Sequence, residues 1–170
     1  MKRVMIVGQP GSGKSTLARL IGERTELPVF HMDQIHWKPG WVERSRPDKI
    51  ERALAVERRR EWVFEGNMSA TYDHRLSRCD TLIVLDLPLH IRGWRVLKRT
   101  VRDYGRSRPD LPENCPEQFS LEFYKWIWQT RHIQRAKQRA LIGKAGPHVA
   151  THLLESRHEV DYFIANLSQY

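Results

Sequence analysis

The chain is poor in the features that would embed it in a membrane or staple it covalently. Its two cysteines, Cys79 and Cys115, are far apart in 170 residues. They show neither CxxC spacing nor a clustered histidine partner, which argues against a zinc site or redox motif and fits a reducing compartment. No apolar run approaches a membrane span. Lys2 and Arg3 precede an apolar stretch that breaks at Gly8 and Pro10, too short for a signal peptide. Internal repeats and low-complexity tracts are lacking too. The expectation is a cytoplasmic protein without a membrane partner, folded as one domain over residues 1–170 with a substantial core.

Acidic residues are also scarce, 20 against 29 Lys and Arg, for a net charge of +9. Such an imbalance implies an anionic partner: a nucleotide, a phosphorylated metabolite or a nucleic acid. The surplus is local. From Arg92 to Arg139, twelve basic residues stand against five acidic ones, which leaves an excess of only two for the rest of the chain.

What the sequence does contain is Gly8-Gln9-Pro10-Gly11-Ser12-Gly13-Lys14-Ser15-Thr16, a full GxxxxGK(S/T) pattern. Before it, Arg3 to Val7 suits a buried parallel strand; after it, Leu17, Leu20 and Ile21 recur at helical spacing. Strand, glycine loop and helix together let backbone N–H groups turn inward on phosphates while the helix dipole adds positive potential. The pattern predicts a nucleoside triphosphate site, ATP with Mg²⁺, in which Lys14 reaches the β- and γ-phosphates and the Ser15 hydroxyl holds the metal.

Further along, Val29 to Met32 reads as a second strand delivering Asp33 at its C-terminal end, where ligands bind in open α/β sheets. Pro39-Gly40 marks a turn, and residues 47–60 read as a helix. Trp62 to Phe64 is a third strand ending at Glu65-Gly66-Asn67, and Thr81 to Leu87, stopped by Pro88, is the most apolar strand. From Ile91, an apolar set (Trp94, Leu97, Val101, Tyr104) and an arginine set (Arg92, Arg95, Arg99, Arg102, Arg106) each repeat at three- and four-residue intervals on different faces. Pro109, Pro112 and Pro116 punctuate a loop, and helix resumes from Phe119, continuing or restarting to about Ile142. A strand at Val149 to Leu154 and a capping box at Ser156 to Glu159 begin the last βα unit. Alternating strands and helices indicate a parallel sheet covered on both faces.

The chemistry suggested is phosphoryl transfer, which needs positioning and positive charge more than covalent catalysis. Glu65 is placed to hold Mg²⁺ through water, or is simply a solvated strand-end carboxylate. Asp33 is placed to accept a hydrogen bond or proton from an acceptor hydroxyl, to help hold the metal, or to form an Asx turn. Asp86, at the end of a central strand, either approaches the metal or, the reading favoured, organises the Leu87-Pro88 turn. Arginine's planar fork suits bidentate phosphate contact, so the Arg92–Arg102 face, with Arg131 and Arg135 beyond the loop, reads as a lid closing over the triphosphate. His31, His36, Trp37, Trp41, Asn67 and Arg75 surround the acceptor side: Arg75 suits an acceptor phosphate, and Trp37 and Trp41 either stack a base or sugar or pack the loop down. Trp126 and Trp128 read as helix packing.

Five blocks carry a closer likeness: Met32-Asp33-Gln34-Ile35-His36-Trp37-Lys38-Pro39-Gly40-Trp41, Phe64-Glu65-Gly66-Asn67-Met68, Arg75-Leu76 with Asp80-Thr81, Arg108-Pro109-Asp110, and Phe123-Tyr124-Lys125-Trp126-Ile127-Trp128. With the glycine loop and Leu85-Asp86-Leu87-Pro88, the chain resembles the adenylate-kinase-like P-loop kinases, and among them the bacterial DNA topology modulation proteins. The resemblance implies a three-layer α/β/α P-loop NTPase fold with a five-stranded parallel sheet and a mobile arginine-bearing lid at about residues 100–135. It also implies that Arg95 packs on the adenine and Arg99 contacts phosphate. Two departures stand out. Glu65 occupies the place of an Asp, and Asn67-Met68-Ser69 lacks the Pro-Arg that clamps an acceptor nucleotide's phosphate, which argues against a nucleoside monophosphate acceptor. A kinase for an unidentified small molecule is thus favoured over a nucleic-acid-binding ATPase, whose recognition motifs are missing, and over a nucleotide-dependent regulator without an acceptor.

Overall fold

The computed structural model describes residues 1–167. Five parallel strands, β1 (Arg3–Gly8), β2 (Val29–His31), β5 (Trp62–Glu65), β6 (Thr81–Leu85) and β7 (Ala150–Leu154), form one sheet in the order β2-β5-β1-β6-β7. A separate antiparallel pair, β3 (Trp37–Lys38) and β4 (Val42–Glu43), flanks the Pro39-Gly40 turn. The expected three-layer architecture is present. Successive residues of a strand face opposite ways, so Met5, Val7, Trp62, Phe64, Leu82 and Val84 build one core while Val4, Ile6, Val63, Ile83 and Leu85 build the other. The first core is covered by α3 (Arg46–Glu57), α4 (Tyr72–Arg78) and α6 (Leu121–Lys144), the second by α1 (Lys14–Thr25) and α7 (Arg157–Ala165). From β1 the chain first builds to one side (β2, β5) and then to the other (β6, β7). Such a reversal opens a crevice at the strands' C-terminal ends, and the glycine loop leaves β1 there.

One local expectation is corrected, and two details that the sequence left open are resolved. Asp33 does not end a strand: β2 stops at His31, and Asp33 lies in the first turn of α2 (Met32–His36). Residues 121–144 form one uninterrupted helix, started by Ser120, whose hydroxyl accepts from the Phe123 N–H at 3.2 Å. Helix α5 (Leu89–Arg102) is turned opposite to the usual amphipathic rule: Trp94, Val101 and Tyr104, just past its end, are exposed, while Arg92 is buried beside Val96 and Thr100. Arg92 and Arg95 turn inward onto the main-chain carbonyls of Leu87, Pro10 and Ser12, while Arg102 and Arg106 stay exposed, a tertiary effect that periodicity alone cannot reveal.

Candidate nucleotide and acceptor site

The phosphate loop is built on two left-handed glycines, Gly11 (φ 77°) and Gly13 (φ 97°). Gly13 caps α1 without a side-chain hydrogen bond, and the helix's first turn holds no acidic residue. Helices α3, α6 and α7 each begin with a serine that accepts a backbone N–H. The orphan N–H groups at the start of α1 are therefore left for an external anion. Ser12 is buried, and its Oγ has no hydrogen-bond partner among the described residues. A polyphosphate would satisfy both.

Helix α5 braces this loop. Arg92 donates from Nε to Leu87 O at 2.9 Å and from Nη1 to Pro10 O at 3.3 Å, and Arg95 Nη1 donates to Ser12 O at 3.2 Å. Gly11 has no room for a side chain, since a Cβ would stand 2.3 Å from Arg92 O. Gln9 is buried, with Nε2 donating to Arg131 O at 3.1 Å; Thr16 is exposed on α1. The first glycine, Gly8, is clasped by Asn67, which receives the Gly8 N–H at 3.3 Å and donates to Gly8 O at 2.7 Å. Burial pushes the Tyr72 phenol up to about 12, so it stays a donor to Asn67 Oδ1, at 3.2 Å.

At the loop's far end, Ser15 Oγ donates to Glu65 Oε1 at 3.1 Å, and the buried His31 Nδ1 lies 2.8 Å from the same oxygen. A hydroxyl and a carboxylate brought together are hard oxygen donors of the kind Mg²⁺ takes. Lys14 lies above them, its Nζ 3.4 Å from Gln9 O. Crowding by protein lowers the Lys14 pKa most; Glu65 and Asp33 raise it, and Arg99 and Arg92 lower it further. Asp33 is open to water on one side, yet the surrounding walls raise its pKa, as does Glu65, while Lys14 and Arg108 act against them. Lys14, Glu65, Asp33 and the α5 residue Arg99 thus feel one another's charge and share a single cleft.

Other expected site residues are engaged elsewhere. Arg75 is fully buried: Nε donates to Glu57 Oε1 at 3.0 Å, Nη1 donates to Gly66 O at 2.9 Å, and the guanidinium stacks 3.9 Å from the Phe64 ring centroid. It is sealed in the core and cannot meet an acceptor phosphate. Asn67 is consumed by Gly8, a positioning role rather than a substrate contact. Arg131 lies 3.9 Å over Trp128, and Arg135 donates to Asp86 at 2.8 and 3.0 Å. Arg139 binds Asp86 as well, so Asp86 anchors α6 rather than shaping the Leu87-Pro88 turn. Trp37 meets Trp41 edge-on at 5.3 Å, and His36, its pKa lowered by burial and Lys49 against the opposing pull of Glu43, packs on Trp37 at 4.8 Å. These aromatics pack the hairpin. Trp126 and Trp128 are exposed, each against a neighbour on its own helix, Phe123 and Arg131.

The Pro-punctuated segment contributes what sequence reasoning did not single out. It docks on the hairpin through Gly40 N to Asn114 O (3.1 Å) and Trp41 Nε1 to Pro116 O (3.1 Å), and on α2 through Gln34 Nε2 to Pro109 O (3.0 Å). That docking carries Arg108 to Asp33. The only sequence sign of it was the Arg108-Pro109-Asp110 block.

No protein-family model matches the sequence, and no curated protein matches it significantly. Solved structures do share its fold. A shikimate kinase from Acinetobacter baumannii in complex with shikimate is 12% identical, with a TM-score of 0.64 over 99% of this chain and 92% of its own. A shikimate kinase from Bacteroides thetaiotaomicron is 14% identical (TM-score 0.62, covering 99% and 97%), and a gluconokinase from Sinorhizobium meliloti 15% identical (TM-score 0.50, covering 99% and 94%). At these identities the likeness is one of architecture alone, a fold shared with these kinases.

Proposed function

We propose that this protein is a kinase that transfers the γ-phosphoryl group of Mg-ATP to a small molecule whose hydroxyl sits beside Asp33. The observation that carries this reading is the convergence of Lys14, the Ser15–Glu65 pair, Asp33 and Arg99 on an uncapped helix N-terminus. The acceptor oxygen forms a bond to the γ-phosphorus as the bond to the β,γ-bridging oxygen breaks, releasing ADP, and the hydroxyl proton passes to the Asp33 carboxylate. Lys14 and Arg99 stabilise the charge on the transferring group. Mg²⁺, held by Ser15 and through water by Glu65, would neutralise the β- and γ-phosphates. Arg95 lies beside the loop where it can flank the adenine.

The acceptor side is chemically restricted. With Arg75 sealed, Arg108 is the cation felt at Asp33 besides Lys14, so a hydroxyl compound, nucleoside-like or otherwise, fits better than a phosphorylated one. The chain is proposed to act as one domain over residues 1–170, with a lid at about 100–135 comprising the Pro-rich segment and the start of α6. The five sequence blocks favour placing it near the DNA topology modulation proteins. Screening acceptors with labelled ATP tests the reading; calorimetry showing no saturable heat with Mg-ATP on folded protein would reject it.

A second reading, an ATPase acting on nucleic acid, draws on exposed Trp94, Trp126 and Trp128 among the basic residues of α5 and α6, a surface suited to stacking bases. Counterion release predicts steeply salt-dependent affinity for single strands if it holds.

A further inference from the structure

Glu117, in the segment between α5 and α6, is a buried carboxylate with no part in the transfer just described. Its Oε1 accepts from Arg99 Nε at 3.2 Å, from Arg99 Nη2 at 3.1 Å and from Thr100 Oγ1 at 3.1 Å. Its Oε2 pairs with Arg108 Nε at 3.0 Å. The main chain fixes the same residue, for the Glu117 N–H donates to Arg106 O and the Gly105 N–H donates to Glu117 O, both at 2.9 Å. Thr100 in turn accepts from the Tyr124 hydroxyl at 3.2 Å, which ties the arrangement to α6.

The two arginines joined by this carboxylate serve different halves of the cleft. Arg99 is among the charges acting on Lys14, and Arg108 is among those acting on Asp33. Arg99 is held along its Nε edge by two hydrogen bonds, and Arg108 faces Glu117 with its Nε as an ion pair without a formed hydrogen bond. The bridge leaves Nη1 of Arg99 outside it; Arg108, whose Nη1 donates to Asp110 Oδ2 at 2.7 Å, keeps Nη2 outside. A counter-ion that a phosphate must displace would be expected to cover the tips of the guanidinium forks, where an oxyanion is best received. Holding the sides instead fixes direction and spacing while leaving donors available.

We propose that Glu117 is a positioning residue: it spaces Arg99 and Arg108 across the cleft so that one guanidinium bears on the γ-phosphate from the nucleotide side and the other from the acceptor side. The inference rests on the kinase reading and adds Arg108 to the groups that meet the transferring phosphoryl. It needs no acceptor to be tested. Calorimetry with Mg-ADP and with the non-hydrolysable Mg-AMP-PNP measures how strongly the γ-phosphate is recognised, and the wild-type protein should prefer the triphosphate by about tenfold or more. In Glu117→Gln that preference should fall roughly fivefold while affinity for Mg-ADP stays within about twofold, and Arg108→Gln should do the same. Because Glu117 works partly through Arg108, the double variant should lose clearly less than the sum of the two single losses.

Additive losses would make Glu117 a structural residue only, a stronger triphosphate preference would make it a competitor of the phosphate, and an unchanged preference would give it no role; each result overturns the proposal. Should Glu117→Gln not fold, Glu117→Asp keeps the charge and shortens the bridge, and is expected to lower the triphosphate preference with Mg-ADP affinity intact; an unaltered preference there is equally fatal. Wild-type protein that binds neither nucleotide would reject the kinase reading itself, a failure distinguishable from loss of the bridge alone.

Discussion

Helices α5 and α6 carry arginines at similar spacing, yet the two sets have different partners. On α5, Arg92 and Arg95 donate to the main-chain carbonyls of Leu87, Pro10 and Ser12. On α6, Arg135 and Arg139 bind Asp86, and both also pair with Glu155. A carbonyl carries no net charge, so Arg92 and Arg95 bring positive potential to the glycine loop that their hydrogen-bond partners do not cancel; Arg99, on the same helix, is held by Glu117 along one edge only, whereas two carboxylates cancel most of what Arg135 and Arg139 bring. Charge counted along a sequence therefore overstates what a ligand will feel, because the partner of each arginine decides whether its field reaches the cleft.

The comparison can be broken at several points. The largest effect is expected at the centre of the field: Lys14→Ala should cut phosphoryl transfer about a thousandfold or more while leaving the fold intact by circular dichroism. Turnover equal to wild type in an assay with labelled ATP would show that the loop is not the catalytic site. Arg75→Ala comes next, as a stability effect. Removing the buried guanidinium leaves the Glu57 carboxylate with His74 Nδ1, at 2.6 Å, as its only partner among the described residues, and should cost about 3 kcal/mol in urea unfolding. A variant as stable as wild type but weakened for its acceptor would return Arg75 to the site.

The direct contrast between the helices is smaller. Arg99→Ala should slow transfer by about a hundredfold, whereas Arg135→Ala, half-exposed and paired to Asp86, should change turnover by less than about threefold and stability by no more than about 1 kcal/mol. Equal losses in the two variants would erase the distinction drawn here. The smallest effect is one of pH. Since protein crowding and Glu65 hold the Asp33 carboxyl above 3.8, the folded chain binds that proton more tightly than the unfolded one. This contribution supports the fold below the ordinary carboxylate pKa and is lost as pH rises through the raised value. Asp33→Asn should accordingly melt above wild type at about pH 7, with the gap closing near about pH 3. A gap of the same size at both values would contradict the assignment.

The half of the site proposed to take the nucleotide was readable in the chain because its information is local. Gly8 to Thr16 specifies loop, lysine and hydroxyl within nine residues, and β1 and β6 announce themselves as apolar runs. The acceptor half was less readable, because there the information is distributed. Arg75 looks like an available cation until Glu57, eighteen positions away, is found beside it. The short helices α2 and α4 lack room for a periodic signal, and α4 and the 3₁₀ turn before it (Ser69–Thr71) were not foreseen. Helix α5 shows a clear two-faced pattern, but pattern alone does not say which face meets the protein. Arg108 and Glu117 sit in a segment whose prolines announced only a loop; their importance comes from its docking against the hairpin and α5.

The missing side chain of Gly11 has a practical consequence. With Arg92 O where a methyl group would otherwise stand, the loop and α5 form a fitted joint without play, and even alanine there would wedge them apart. A designer wishing to alter nucleotide preference by remodelling the loop would have to redraw the helix in the same round, and transplanting the nine-residue motif into another scaffold without its α5 would leave behind half of the part.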